Sequence, residues 1–156
     1  MQHIAVFCKT LLKGGSEKQA LILSKLLSEG NKKVSLINWS KDKVDPEYLE
    51  FIEINSLSYF ALNGNVLKKY FQFLKILREE RVSIVLSYLT LPNVIAGISK
   101  IFLRKIVTIG GIRNEKLPYH KFLFERWTHN NLNNASIFNN YSAKNKFTKR
   151  GFKSNK

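Results

Sequence analysis

The chain has 156 residues, with 44% hydrophobic and 24% charged residues, the balance of one globular domain with a core of its own. Its single cysteine, Cys8, excludes an internal disulfide framework and any multi-cysteine metal site. The 26 Lys and Arg against 11 Asp and Glu give a formal charge of +15, which suits nucleic acid, anionic lipid, or a Lys-rich chain whose acidic complement lies elsewhere.

The Met-Gln-His start lacks the basic and apolar regions of a secretory signal. No apolar run approaches the roughly 18–20 residues of a membrane span. The expectation is a soluble or membrane-peripheral chain. Cys8 falls within an apolar run and is expected to be a small buried hydrophobe in a reducing compartment.

Residues 3–8, HIAVFC, predict a buried strand, with His3 peripheral at its start. Residues 16–29 predict a helix, with Ser16 as cap, Gln19 completing a capping box, and Gly30-Asn31 as the stop. Residues 34–39, VSLINW, predict a second strand, and 51–54, FIEI, a short third one. From Asn65 to Arg81 the spacing of Leu67, Tyr70, Phe71, Leu74 and Leu77 predicts a helix burying those residues. Lys68, Lys69, Lys75 and Arg78 fall on its other side. Residues 82–87 predict a fourth strand, rich in β-branched residues. TLPNVIAGISKIF then predicts a helix with Pro92 in its first turn. A fifth strand, 105–110, ends at Gly110-Gly111, followed by a helix over 118–132 and a sixth strand over 135–139. A short basic helix and a polar tail close the chain.

Strands alternating with helices imply parallel β-α-β units, so the expected fold is α/β: a Rossmann-like, doubly wound, mostly parallel sheet with helices on both faces, as a single domain. Ligands of such sheets bind beyond the carboxyl ends of the strands. The loops after Cys8, Trp39, Ser87, Gly110 and Asn139 are therefore the places to look for chemistry.

The loop after Cys8 carries Gly14, Gly15, Ser16 and Glu17. Paired glycines allow close backbone approach and positive φ, and the helix that follows offers unpaired N–H groups and its positive dipole end. Together these could cradle a phosphate or diphosphate, or simply make a tight turn. Neither the dinucleotide fingerprint nor the phosphate-loop pattern is present. No hydrolytic triad can be assembled. His120 and His129 lack metal-ligand spacing and suit surface or packing positions. Tyr88 follows the fourth strand, where a hydroxyl could meet a polar substrate. Arg113-Asn114 follows the fifth, where a guanidinium could hold an anion bidentately.

Four segments in register resemble group 1, family 4 retaining glycosyltransferases: GGSEKQALILSKLLSEGNKKVSLI, VSIVLSYLTLPNVIAGISK, IVTIGGIRNE and ASIFNNYSAKNKFTKRGF. The similarity spans nearly the whole chain. It implies the first of two Rossmann-like domains of a GT-B enzyme, the acceptor-binding half, over 1–150, with 151–156 as the polar basic start of an interdomain linker. The family's second domain, which binds most of the nucleotide-sugar donor and carries a Glu-x7-Glu pair, has no counterpart: no two glutamates here stand eight positions apart.

By resemblance, Gly14, Gly15, Ser16 and Glu17 would form the donor-diphosphate loop, and Tyr88, Arg113, Asn114 and Asn139 would line the acceptor side of the cleft. Many relatives have a histidine where Tyr88 stands, so no catalytic base is assigned. The resemblance implies transfer of a sugar from a nucleotide-sugar to a glycan or lipid-linked acceptor in cell-surface polysaccharide synthesis, with no metal or cofactor. It also implies a C-terminal donor domain as partner in cis or in trans, and inactivity of this half alone. The expected location is cytoplasmic, peripheral on the inner face of the plasma membrane, with Lys68, Lys69, Lys75, Arg78, Arg104 and Lys105 facing anionic lipid. Two alternatives are a basic nucleic-acid-binding module and a non-catalytic Rossmann scaffold. Nucleic acid is disfavoured because Tyr70 and Phe71 fall on the apolar stripe rather than among exposed cations.

Overall fold

The computed structural model describes residues 2–113 and 117–155. Among them, strands and helices alternate: β1 (His3–Cys8), α1 (Gly15–Glu29), β2 (Lys33–Asn38), α2 (Pro46–Ile54), β3 (Ser58–Ala61) and α3 (Val66–Glu79). Then come β4 (Ile84–Tyr88), α4 (Thr90–Phe102), β5 (Val107–Ile112), α5 (Tyr119–Asn131), β6 (Ala135–Phe138) and α6 (Tyr141–Lys149). The strands form one sheet in the order β3-β2-β1-β4-β5-β6, every pairing parallel. This is the doubly wound α/β fold that the alternation predicts.

Strand pleat divides the core into two layers. Ala5 and Phe7 of β1 pack with Phe73 and Leu77 of α3 and with Ile95 and Ala96 of α4. The Phe7 and Phe73 rings stack at 4.3 Å. Val6 and Cys8, pointing the other way, pack with Ala20 and Leu21 of α1 and Ile52 of α2. Cys8 is buried as expected, and burial pushes its thiol pKa far upward, with Glu17 adding to the effect. A third cluster joins Phe122 of α5 to Ala143 and Phe147 of α6 and to Phe152, which lies past the last helix and is only 3% exposed.

Several local expectations are corrected. Residues 51–54 are not a strand: they close α2, whose cap Asp45 accepts from the Glu47 N–H at 3.0 Å and whose first residue is Pro46. A capped start with proline at the first position commits the backbone to helix before FIEI is reached. The third strand lies beyond, at β3. His3 is buried rather than peripheral; Nδ1 donates to the Glu80 carbonyl and Nε2 bonds the Ser35 hydroxyl at 2.9 Å. Ser16 does not cap α1. Gly14 does, in extended conformation at φ −168°, and it offers no side-chain bond. On α3, Phe73, Leu74 and Leu77 are buried, but Leu67 and Phe71 are 68% and 65% exposed. The inward stripe is narrower than the spacing suggested, and Phe71 is an exposed aromatic beside the cations of this helix, where the sequence placed it in the core.

Gly110 and Gly111 both lie inside β5, which runs on to Ile112, past the end expected at Gly110-Gly111. A Cβ at Gly110 would stand 2.9 Å from Asn133 Nδ2 and 3.2 Å from Asn93 Cγ, and one at Gly111 would stand 3.0 Å from the Ser87 carbonyl oxygen. The glycines let β5 pass close to α4 and β4.

Candidate functional site

The order in which strands are added reverses between β1 and β4, so the crevice opens beyond the carboxyl ends of those parallel strands. The end of β1 leads through a loop to α1. The end of β4 leads directly to α4 through Leu89, whose φ of 71° is rare for a leucine. The Leu89 N–H donates to the Gly111 carbonyl at 3.1 Å, which fixes this turn against β5.

A cavity of about 330 Å³ occupies the crevice, lined by Gly15, Ser16, Gln19, Leu89, Arg113 and Asn139. Four regions far apart in sequence meet here: the start of α1, the turn after β4, the end of β5 and the end of β6. Arg113 Nη1 donates to Asn139 Oδ1 at 2.8 Å, and Asn139 Nδ2 donates back to the Arg113 carbonyl at 3.1 Å. The guanidinium lies over the Tyr88 ring, 5.0 Å from its centroid. Arg113 Nε is buried without a partner among the described residues.

Tyr88 is therefore a platform rather than an exposed hydroxyl. It is 5% exposed; burial pushes its phenol pKa up, while the neighbouring Arg113 charge opposes the shift. Asn114 lies outside the described residues.

The start of α1 supplies the opposite wall. The Gly14 cap brings no side chain, so the first N–H groups of α1 face the cavity side without a cap. The glycines act by their size and not by positive φ. A Cβ at Gly14 would stand 2.5 Å from Glu17 Oε2, whereas nothing lies within 4 Å of one at Gly15. Glu17 does not line the cavity; it accepts from Ser16 Oγ at 2.6 Å and from Thr10 Oγ1 at 3.4 Å, bracing the loop.

Beneath the site runs a polar network that sequence reading missed. Ser87 Oγ donates to Asn93 Oδ1 at 2.7 Å, and Asn93 Nδ2 donates to Glu125 Oε1 at 2.6 Å and to the Gly111 carbonyl at 3.2 Å. Glu125 is 1% exposed, and burial pushes its pKa up against the hydrogen bonds from Asn93 and Thr90. An isolated Glu in a basic helix gives no sequence signal of burial. A second cavity, of about 530 Å³, adjoins at Leu89; Val94, Pro118 and Phe124 are among its apolar lining residues, and Lys9 and Lys121 are also on its wall.

Of the two remaining histidines, His129 is fully buried, bonding Ser136 Oγ at 2.8 Å and the Lys153 carbonyl at 3.0 Å, and His120 is exposed. Among the described residues no group of three or more His, Cys, Asp or Glu could hold a metal ion. The six basic residues singled out by sequence disperse. Lys69 lies over the Trp39 ring at 5.8 Å, and Lys75 pairs with Glu79 at 3.7 Å. Lys68 packs its stem beside Gly64. Arg78, Arg104 and Lys105 converge on one groove.

No family model and no curated protein sequence matches the chain. Solved structures do. A lipopolysaccharide outer core galactosyltransferase, WaaB in its apo form, superposes with a TM-score of 0.73 at 16% identity, over 99% of this chain and 44% of that one. The fold is that of a GT-B half-domain. A glycosyltransferase from Rickettsia africae matches with a TM-score of 0.60 at 12% identity, over 80% of this chain and 34% of its own. A UDP-GlcNAc 2-epimerase from Methanocaldococcus jannaschii matches with a TM-score of 0.65 at 14% identity, over 99% and 44%. The chain thus spans less than half the length of these neighbours, as one half-domain within larger proteins. At these identities the likeness is one of fold.

Proposed function

We propose that this half-domain is the acceptor-binding side of a retaining glycosyltransferase, working opposite a donor-binding domain supplied in cis or in trans. The observation that carries the reading is the 330 Å³ cavity at the switch point, where the uncapped start of α1 and the Arg113 guanidinium line the same space. In glycosyl transfer the bond from the anomeric carbon to the diphosphate oxygen breaks, a bond to an acceptor hydroxyl oxygen forms, and negative charge gathers on the departing diphosphate. Fixed N–H groups at a helix start, together with a guanidinium, are the donors that stabilise such charge. Arg113 is held in place by Asn139 and Tyr88, so its charge stands fixed at the wall of the cavity.

The acceptor in this reading is a glycan or a lipid-linked sugar. The net charge of +15 supports a peripheral site on anionic membrane, where each basic residue near the surface adds about 1 kcal/mol. No helix among the described residues is long and apolar enough to cross a membrane.

The test is to express the chain together with the reading frame that continues or follows it, and to supply nucleotide-sugars and a membrane glycolipid extract. Transfer of labelled sugar to the extract, lost in Gly15→Val, sustains the reading. An isomerised nucleotide-sugar with no glycoside product, or transfer unchanged by Gly15→Val, would overturn it.

A further inference from the structure

We propose that Glu125 is a positioning residue for the crevice: through Thr90 and Asn93 it holds the strained Leu89 turn and the end of β5 that carries Arg113. The proposal rests on the reading that Arg113 meets an anion in the crevice, and adds the residue that keeps Arg113 there.

Glu125 and Asn93 are both fully buried. A buried carboxyl and amide stabilise a fold no better than an apolar pair of the same shape, which can be neutral or better. What the polar pair supplies is a fixed point. Asn93 Nδ2 donates to Glu125 Oε1 at 2.6 Å and to the Gly111 carbonyl at 3.2 Å, while Asn93 Oδ1 accepts from Ser87 Oγ at 2.7 Å. Thr90 donates a further bond to the carboxyl. One side chain of α5 thereby ties the first turn of α4 to the end of β4 and to β5.

Leu89 is where a fixed point is needed. It caps the start of α4 with φ 71° and ψ 167°, a combination almost confined to glycine. Among the described residues, the other non-glycine positions at positive φ are Asn31, Ser56 and Arg81. Each follows the carboxyl end of a helix, where the left-handed conformation is common. Leu89 precedes a helix and has no such reason. A residue strained in this way keeps its conformation only where its surroundings over-determine it. Here they do: Ser87, Thr90 and Asn93 flank Leu89 on both sides, and all belong to the Glu125 network. The Leu89 N–H also donates, at 3.1 Å, to the same Gly111 carbonyl that Asn93 reaches.

The turn shapes the site. Leu89 lines both the 330 Å³ cavity and the 530 Å³ cavity beside it. Gly111 pairs in register with Tyr88 and lies two residues before Arg113. The Arg113 guanidinium rests over the Tyr88 ring. Asn139 thus clasps Arg113 from the side, while the Glu125 network holds the backbone and the aromatic platform beneath it. Glu125→Gln keeps an acceptor for Asn93 and Thr90, whereas Glu125→Leu fills similar space without one, so the two variants separate the polar tie from packing.

The experiment is proton NMR of the full chain, followed by titration with inorganic pyrophosphate. Protons above an aromatic face are moved upfield by its ring current, so the Arg113 side chain reports its place over Tyr88; Tyr88→Leu identifies the signal by removing the ring. Thermal melts follow the folding of each variant. In Glu125→Leu the upfield shift of Arg113 is expected to be lost and pyrophosphate affinity to fall about tenfold. Glu125→Gln is expected to keep the shift and to hold affinity within about threefold. Leu77→Ala opens a cavity in the core layer under α3 and is expected to melt lower with the Arg113 shift intact. Should Glu125→Leu not fold, Thr90→Val deletes one donor at a half-buried position and is expected to lose part of the shift.

A folded Glu125→Leu chain with the Arg113 shift intact, or an unchanged shift in Thr90→Val where that variant is read instead, would overturn the positioning role. So would Leu77→Ala losing the shift as fully, since any destabilisation would then suffice. A wild type without the shift would overturn it as well, because Arg113 would not rest on Tyr88. A shift lost in Glu125→Leu, in a protein whose wild type ignores pyrophosphate, would sustain the positioning role and count against the anion-binding reading of the crevice instead.

Discussion

Arg113 and Asn139 clasp each other: Nη1 donates to Oδ1 at 2.8 Å, and Nδ2 returns a bond to the Arg113 carbonyl at 3.1 Å. The two residues lie 26 positions apart, at the ends of adjacent strands β5 and β6. The clasp aims a cation into the crevice and holds it over Tyr88.

Asn139→Ala removes both bonds. Because Asn139 is exposed, the stability loss is expected at the low end for hydrogen bonds, about 0.5–1 kcal/mol by urea unfolding. The larger effect is expected in function: in the joined enzyme, transfer should fall more steeply than stability. A variant with full transfer would show that Arg113 does not depend on its clasp.

The paired glycines have separable roles. Gly14→Ala must displace the Glu17 carboxylate, which would stand 2.5 Å from the new Cβ, so about 0.5–1 kcal/mol of stability is expected to be lost with the Ser16 and Thr10 bonds. In a Glu17→Ala background that added cost should vanish, which a double-mutant cycle reads directly. Gly15→Val meets open space and should shift stability by no more than about 0.5 kcal/mol while abolishing transfer.

Glu125 makes stability pH-dependent with a definite sign. Its native pKa is raised by burial, so between the unfolded value of about 4.3 and the native value the native state binds more protons. Stability contributed by this group is full below about pH 4.3 and falls as pH rises toward the native pKa. Glu125→Gln keeps an acceptor for Asn93 and cannot ionise. Urea unfolding from about pH 4 to about pH 8 should show a flatter profile for the variant than for the wild type. Identical slopes would mean that another group carries the dependence.

Phe152 closes the third core cluster, with its ring 5.0 Å from Phe147 and 4.9 Å from His129. Phe152→Ala should cost roughly 3–5 kcal/mol by chemical denaturation. Truncation after Arg150 should cost at least as much, since it also removes the Lys153 bonds to Asn130 and His129. A truncated chain as stable as the full one would reduce these contacts to surface packing.

The strand-like runs and helix periods were legible because each carries its own local signal. Five of the six strands lie within about two residues of their predicted positions. The failures are instructive. FIEI is apolar enough for a strand, but Asp45 and Pro46 had already started a helix through it. Ser16 is a good capping residue, yet its hydroxyl is spent on Glu17, and Gly14 takes the cap. Leu67 and Phe71 share the helical period of buried residues; exposure depends on what stands opposite, which periodicity does not encode.

The site shows the same division. Gly15, Arg113 and Asn139 could each be picked from the sequence as residues following strands or starting a helix. That they line one cavity follows from the strand order, which sets β1, β4, β5 and β6 side by side. The Glu125 network had no such signal, because a carboxyl becomes buried only when α4 and α5 pack over β5. By itself the sequence determined composition, charge and the order of strand and helix, since hydrophobic period and turn chemistry are local. Only the tertiary structure decided which loops meet, which carboxyl is buried and which cations stand unpaired, because each of these is set by contacts between residues far apart along the chain.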